Sequence, residues 1–235
     1  MKANYSYIYL AFFLLLNIFN FVDRNLLIAF APQIKSEFNL TNVQWGLLTG
    51  VYFLFFYSVF GIFMGVLGDK FSRMKIAAAG VFLWSLMTAL TGVAKNFSHL
   101  IIARALIGVG ESALTPNAIS MLSDLFNQNK RGTASAIYYL GIPLGVGFGM
   151  LIAAFFGPVF GWRAVFITLG LIGMVLGIVT YFLLEPKRGQ LDVSFDEDNK
   201  SASIREIVSM TKHALYNSKC LTFAIIGSIF LHIPL

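Results

Sequence analysis

Charge is what this sequence has least of. Asp, Glu, Lys and Arg make up only 12% of it, about half the roughly 25% of a soluble domain. There is one cysteine, Cys220, so an intramolecular disulfide and a cysteine-rich metal site are both excluded. Histidine is nearly as scarce: His99, His213 and His232 are scattered, without metal-ligand spacing. No Walker phosphate loop, dinucleotide glycine fingerprint or nucleophile elbow occurs. ATP-driven pumping and enzymatic chemistry are therefore not expected, and no catalytic residue, metal or cofactor is assigned.

What is present is apolar. Hydrophobic residues make up 57% of the chain, mean hydropathy is +0.76, and Phe occurs 24 times and Gly 21 times. Aromatic and glycine enrichment suits helices packed in lipid, where small residues let backbones approach. A spanning helix needs about 20 apolar residues. Residues 7–31, 43–67, 76–93, 100–125, 134–156 and 164–184 each qualify. The first run is too long for a signal-peptide core, carries charges and lacks a small-residue cleavage site, so it reads as a span. The predicted fold is an all-α integral membrane bundle of six helices.

The net charge of +6 does not point to nucleic acid, because the basic residues sit in short loops rather than on one stripe. Placing the N-terminus in the cytoplasm puts Lys2, Lys70, Arg73, Lys75, Lys130 and Arg131 on the inner side. Only Lys35, Lys95 and Arg163 fall outside. That is the positive-inside pattern of a multi-pass protein in a cell or inner membrane.

Beyond residue 184 the composition changes. Residues 185–219 read as a cytoplasmic linker that includes a solvated acidic run, Asp196 to Asp198. Ser203 and Glu206 form a capping box there, opening an amphipathic helix. Residues 220–235 begin a seventh apolar run. Its last 15 residues, 221–235, reach about 22 Å, short of the ~30 Å hydrocarbon core. The seventh helix is expected to be incomplete and to need further chain.

Ionisable groups inside a membrane are costly and mark function by default. In the first helix Asn17, Asn20 and Arg24 share a face, with Asp23 flanking it. In the fourth, Arg104, Gly108, Glu111 and Thr115 return to one face by steps of four, three and four. Both stripes are expected to face a shared polar cavity. Cα depths place Asp23 level with Arg104, so these two are expected to pair. Glu111 lies about 10 Å deeper than Arg104 along its helix, and so needs another partner, a proton or a ligand. The competing reading is a structural ion pair that locks helices together.

The loop Gly65-Val66-Leu67-Gly68-Asp69-Lys70-Phe71-Ser72-Arg73-Met74-Lys75 resembles the signature loop of the major facilitator superfamily, with Ser72 where that family often has Gly. The resemblance implies an inner gate of Gly65, Asp69, Lys70 and Arg73, with Asp69 facing a helix N-terminus of the opposite half. It also implies two three-helix inverted repeats. Gly141, Pro143, Gly145, Gly147 and Gly149 resemble the family's flexible fifth helix, where small residues also pack closely. Asp124, Lys130 and Arg131 add an inner charged cluster.

Within that superfamily, residues 21–24 (FVDR), 108–113 (GVGESA), 137–145 (IYYLGIPLG), 161–163 (GWR) and 185–186 (EP) are similar to the Spinster-like family. This implies alternating-access transport of a small amphipathic or anionic solute, lysolipid-like, with proton coupling. Asp23 and Glu111 would carry protons. Arg24, Arg104, Asn20 and Thr115 would be charge partners or substrate contacts. The expected partners are the solute, protons and a C-terminal half. The sugar-acid anion symporters share the Asp-Arg and Gly-Glu pairs and stand as the alternative. A self-assembling half-transporter, a receptor or a membrane enzyme are further alternatives.

Topology is directly testable. In a Cys220→Ser background, an impermeant thiol reagent applied to intact cells should label Asn96→Cys and not Ser201→Cys. Outside labelling at position 201 would invert the assignment.

Overall fold

The computed structural model describes residues 3–189, and every regular element among them is helical. The expected linker helix and seventh span fall outside these residues. In order, α1 (Ala3–Ala29) leads into a short α2 (Ala31–Glu37). Then α3 (Asn42–Gly46) and a π-helical turn (Leu47–Val51) run on into α4 (Tyr52–Lys70). After these come α5 (Arg73–Gly92), α6 (Phe97–Ser112), α7 (Leu114–Leu125), α8 (Gln128–Tyr139) and α9 (Gly141–Phe182).

Five helical stretches are long and apolar enough to cross a membrane: Tyr5–Ala29, Asn42–Lys70, Arg73–Gly92, Phe97–Leu125 and Gln128–Phe182. The last has 55 residues, about 82 Å at 1.5 Å per residue and more than twice the hydrocarbon thickness. It is two passes joined at Gly161, whose φ of 76° and ψ of 159° are not helical. Packing confirms the reversal. Gly141, Gly149 and Gly157 lie successively against Asn17, Val22 and Phe30, so this half runs parallel to α1. Gly170 and Gly177 lie against Ala89 and Phe82, so the second half runs antiparallel to α5. The described residues thus make six passes, as the hydropathy pattern predicts. The turn between the last two is tighter than the expected loop at 157–163, because one glycine reverses the chain.

Prolines interrupt two other passes. Pro116 has no N–H to offer the Ser112 carbonyl, and the helix breaks at Ala113, whose N–H donates to Gly110 O at 3.2 Å. Pro143 likewise leaves the Tyr139 carbonyl without its helical donor, three residues beyond the break at Leu140. At the α4–α5 loop, Ser72 in extended conformation caps α5 by accepting from Lys75 N at 3.3 Å. A serine in place of the family's glycine therefore has a local task.

Two apolar clusters fill the bundle. One centres on Phe13, Leu16, Trp84, Leu114 and Tyr138. The other centres on Leu26, Phe30, Leu48, Leu100 and Phe166. Asn17, Asn20, Asp23, Arg104 and Glu111 are all buried; Asn17 and Asn20 lie between the two clusters along α1, and Arg104 lies between them along α6. Phe55, Ile62, Phe155, Val159, Phe160 and Phe182 are exposed, as side chains facing lipid or further protein should be.

Gly161 and Gly147 both have open space where a Cβ would go, but only Gly161 has a backbone conformation nearly closed to other residues. Gly161→Ala should lower stability by about 1–3 kcal/mol. Gly147→Ala, in mid-helix, should leave it unchanged or raise it by about 0.5–1 kcal/mol. Thermal unfolding of the two variants in detergent checks this; equal effects would contradict the assigned turn.

Candidate functional site

The buried charges meet in the middle of the bundle, but in a pairing different from the expected one. Arg24 Nε donates to Glu111 Oε2 at 2.5 Å, joining α1 to α6. Glu111 is therefore not partnerless. Asp23 is not ion-paired to Arg104: its Oδ2 accepts a short hydrogen bond from the Thr88 hydroxyl on α5. The cause is side-chain direction. Side chains slant toward the N-terminus of their own helix. On these antiparallel helices Arg24 and Glu111 lean toward each other, while Asp23 and Arg104 lean apart.

Aromatic rings wall the pair. The Arg24 guanidinium lies 5.0 Å from the Phe21 ring centroid, 4.8 Å from Phe53 and 4.6 Å from Tyr57. Arg104 lies 4.3 Å from Phe53, so one ring serves two cations. Gly108 makes this possible: a Cβ there would stand 2.8 Å from Phe53 O. The Glu111 side chain is fully buried, whereas that of Arg24 keeps 21% exposure. Arg24 is thus the charged group of the pair that another molecule can reach.

Four buried polar atoms near the pair have no hydrogen-bond partner: Asn20 Nδ2, Asp23 Oδ1, Arg104 Nε and Glu111 Oε1. Thr115 Oγ1 lies 3.1 Å from Tyr138 Oη, and Asn17 Nδ2 donates to Tyr138 O at 2.8 Å. Thr115 therefore joins α7 to α8 and makes no hydrogen bond to Arg24. Gly141 packs on Asn17, and a Cβ at Gly145 would meet Ile18 O and Phe21 Cβ at 2.5 Å. Pro143 is exposed.

A second charged cluster sits at the end of the bundle that holds the α4–α5 loop. Arg73 is buried. It donates to Asp124 Oδ2 at 2.5 Å, Glu185 Oε1 at 3.0 Å, Ser120 Oγ at 2.9 Å and Pro186 O at 3.1 Å. Burial alone would raise the Glu185 carboxyl, but hydrogen bonds from Ser72 and Arg73 outweigh it and hold it below its ordinary value. Arg188 closes the end of α4, donating to Gly68 O at 2.6 Å, to Phe71 O at 2.7 Å and to Asp69 O. Asp69 and Lys70 are exposed, and Asp69's carboxylate makes no hydrogen bond or ion pair among the described residues. Gly65 has nothing within 4 Å of its Cβ position. Within this bundle the tight approach is at Gly68, where a Cβ would lie 3.3 Å from Asn117 Cγ.

The opposite end carries a clamp that sequence reasoning missed. Arg163 donates to Glu37 Oε1 at 2.6 Å and to the Gly92 and Ala94 carbonyls at 3.0 and 2.8 Å, while Trp162 Nε1 donates to Glu37 Oε2 at 2.8 Å. The Arg163 hydrogen bond, chiefly, holds the Glu37 carboxyl below its usual value. Glu185, Arg188, Thr88 and the Phe53–Tyr57 pair were also missed. Only Glu185, in the Glu-Pro pair, carried any signal in the sequence.

A buried charged layer between apolar helices, with polar clusters at both ends, marks a functional site inside a membrane bundle. The chain belongs to the Major Facilitator Superfamily, whose family model matches residues 13–235. It is 33% identical over 180 residues to the sphingosine-1-phosphate transporter SPNS2 of Danio rerio, covering 75% of this chain and 36% of that one. It is 31% identical to a probable L-galactonate transporter of Escherichia coli K12, covering 71% and 36%. Among solved structures, a bacterial homologue of the human lysosomal transporter Spinster, inward-facing and occupied, superposes with a TM-score of 0.71 at 30% identity, covering 82% of this chain and 47% of that one. The chain thus spans about a third of the length of these curated relatives. They are transporters, not enzymes, and the protein is an integral, multi-pass membrane protein.

Removing the Arg73 side chain would leave Asp124 and Glu185 uncompensated. Arg73→Ala should cost about 3–5 kcal/mol, and Arg73→Lys, a point charge without the planar fork, should recover only part. Because the Glu185 carboxyl is held low, its contribution is present above the ordinary carboxylate range and is lost as pH falls through its lowered value. Unfolding midpoints of wild type and Glu185→Gln should therefore converge on acidification. A constant gap down to about pH 3 would contradict the pairing.

Proposed function

We propose that this bundle is the N-terminal half of a proton-coupled secondary transporter for a small amphipathic anion, with the Arg24–Glu111 pair as the coupling element. The observation that carries the reading is that pair: a fully buried carboxylate on a partly open arginine walled by aromatic rings. An anionic headgroup would take Arg24, and the rings of Phe21, Phe53 and Tyr57 suit an adjoining apolar chain. Arg104 and Asn20 would add donors around the headgroup, and Thr115 would shape the far wall through Tyr138.

Charge balance supplies the coupling. Asp23, Arg24, Arg104 and Glu111 sum to zero when all are ionised. An anion added to that layer would leave a buried net charge, which is costly. One proton on Glu111 removes the excess and at the same time frees Arg24. Proton and anion then favour each other's binding, as thermodynamic linkage requires. Asp23, hydrogen-bonded to a hydroxyl rather than an arginine, offers a second carboxyl for the same task.

At the loop end, Asp69 and the open face at Gly65 would meet a helix of a second half, with Lys70 and Arg73 completing an inner gate on the cytoplasmic side. Pro143, beside the broken start of α9, with Gly141 and Gly145 packed on α1, would let the fifth pass flex. The similarity to sphingosine-1-phosphate transporter SPNS2 favours a lysolipid-like solute. The similarity to a probable L-galactonate transporter keeps a sugar acid as the second reading.

The test uses liposomes holding this bundle joined to a second six-helix half, with labelled lysophospholipid and labelled hexonate as probes. Glu111→Gln should abolish accumulation driven by a proton gradient, at least tenfold, and retain exchange without a gradient. Asp23→Asn should impair both less selectively. Normal gradient-driven accumulation by Glu111→Gln would sink the coupling role. The bundle alone should transport neither probe.

A further inference from the structure

Asp23 has a second neighbour that the transport reading leaves unused. A small, partly open cavity touches it, lined also by Leu27 of α1, Leu48 of the π-helical turn, Thr91 of α5, Leu100, Arg104 and Ile107 of α6, and Phe166 of α9. The room available to the centre of a water molecule is about 10 Å³, close to the least volume that holds one water. A sugar or a lipid headgroup does not fit. Two of the lining residues each contribute a buried polar atom without a partner, Asp23 Oδ1 and Arg104 Nε. Their side chains are 4% and 6% exposed. No ion pair within 4 Å joins them among the described residues.

An acceptor and a donor, both desolvated and too far apart to bond directly, each carry a penalty of roughly 1–3 kcal/mol if left unmet. Thr91 Oγ1 donates to Met87 O at 2.9 Å and keeps an acceptor site free. One water meets all three, within the two to four partners that buried waters normally have. A metal cation is disfavoured by the Arg104 guanidinium, and an anion by Asp23. The charged groups around Asp23 are Arg24 on its own helix and Arg104 and Glu111 on α6. From α5 it meets Thr88 and Thr91, and from the π-helical turn and α9 only Leu48 and Phe166.

We propose that this cavity is a single-water site that bridges Asp23 Oδ1 to Arg104 Nε and is the route by which Asp23 exchanges its proton. The site deepens the transport reading, since it matters for coupling only if Asp23 carries a proton. Oδ2 is engaged by Thr88, so Oδ1 is the oxygen that takes and gives the proton. An arriving hydronium passes a proton to this water as the water gives one of its own hydrogens to Oδ1, so the hydronium reverts to water and the site water stays neutral beside Arg104; the reverse step discharges the carboxyl. Arg104 acts as a positioning residue: it donates to the water oxygen, which turns a water hydrogen toward Oδ1.

The 235-residue chain in lipid nanodiscs allows the test without any transport. Under brief X-ray radiolysis, trapped water produces hydroxyl radicals that label its immediate neighbours. Leu100 and Phe166, though 1% and 2% exposed, should be labelled at least fivefold more than Leu16 and Leu26, which are 0% exposed and do not line the cavity. Leu48→Phe, or Ile107→Phe should the first misfold, fills the space and should abolish that excess. The same variants should slow hydrogen–deuterium exchange of the Asp23 carboxyl at least tenfold, read from the infrared carboxyl band that Asp23→Asn removes. Labelling of Leu100 and Phe166 no greater than that of Leu16 and Leu26 would overturn the water site. Lost labelling with unchanged exchange would overturn the route. Lack of any Asp23 carboxyl band between about pH 4 and 9 would instead remove Asp23 from the transport reading, and the route with it.

Discussion

One ion pair, Arg24 to Glu111, constrains the centre of the molecule. A lone charge at this depth costs several kcal/mol, so each residue requires the other, and the two helices that carry them are fixed in depth and rotation. Much of the surrounding architecture follows. Phe53 must approach both arginines, so α6 must come close to α4, and Gly108 at that crossing has no room for a side chain. Thr88 must reach Asp23, which ties α5 to α1 at that depth. The two apolar clusters can be ordinary hydrocarbon because the polar residues have been gathered between them.

The ends of the bundle are tied by different means. At one, Arg73 and Arg188 draw the α4–α5 loop, α7 and the residues after α9 together. At the other, Arg163 holds Glu37, Gly92 and Ala94, so that α2, the end of α5 and the turn at Gly161 move together. In both cases an arginine binds main-chain carbonyls as well as carboxylates, using the fork of donors that lysine lacks. On the proposed reading, the clamps at both ends would help the passes move together as one half rocks against another.

Much of this was legible in the sequence. Low charge and six apolar runs pointed to the class and the number of passes, and the Asp69 loop pointed to the superfamily. The four charged residues that meet inside the bundle were also picked out. Their pairing was not, because depth was reckoned from Cα positions at 1.5 Å per residue. An arginine extends several ångströms toward its own helix N-terminus. On antiparallel helices that slant adds for Arg24 with Glu111 and subtracts for Asp23 with Arg104. The clamps escaped for another reason. Glu37 and Arg163 are 126 residues apart in sequence, and neither lies in a pattern that periodicity can detect.

The two carboxylates are therefore unequal in kind. Asp23 is held by a neutral hydroxyl, so gaining or losing a proton there breaks no ion pair. Glu111 is held by Arg24, so a proton there dissolves the strongest contact between α1 and α6 and leaves a guanidinium among three rings. Cation–π contacts of about 0.5–2 kcal/mol each keep that released cation from being stranded, yet they do not neutralise it. On the proposed reading this difference assigns the labour: Asp23 can store a proton without moving anything, while a proton on Glu111 must be answered by an anion or by a movement of α1 against α6. A site built from two identical carboxylate–arginine pairs would lack that asymmetry, and its two protonation steps would compete for the same structural change.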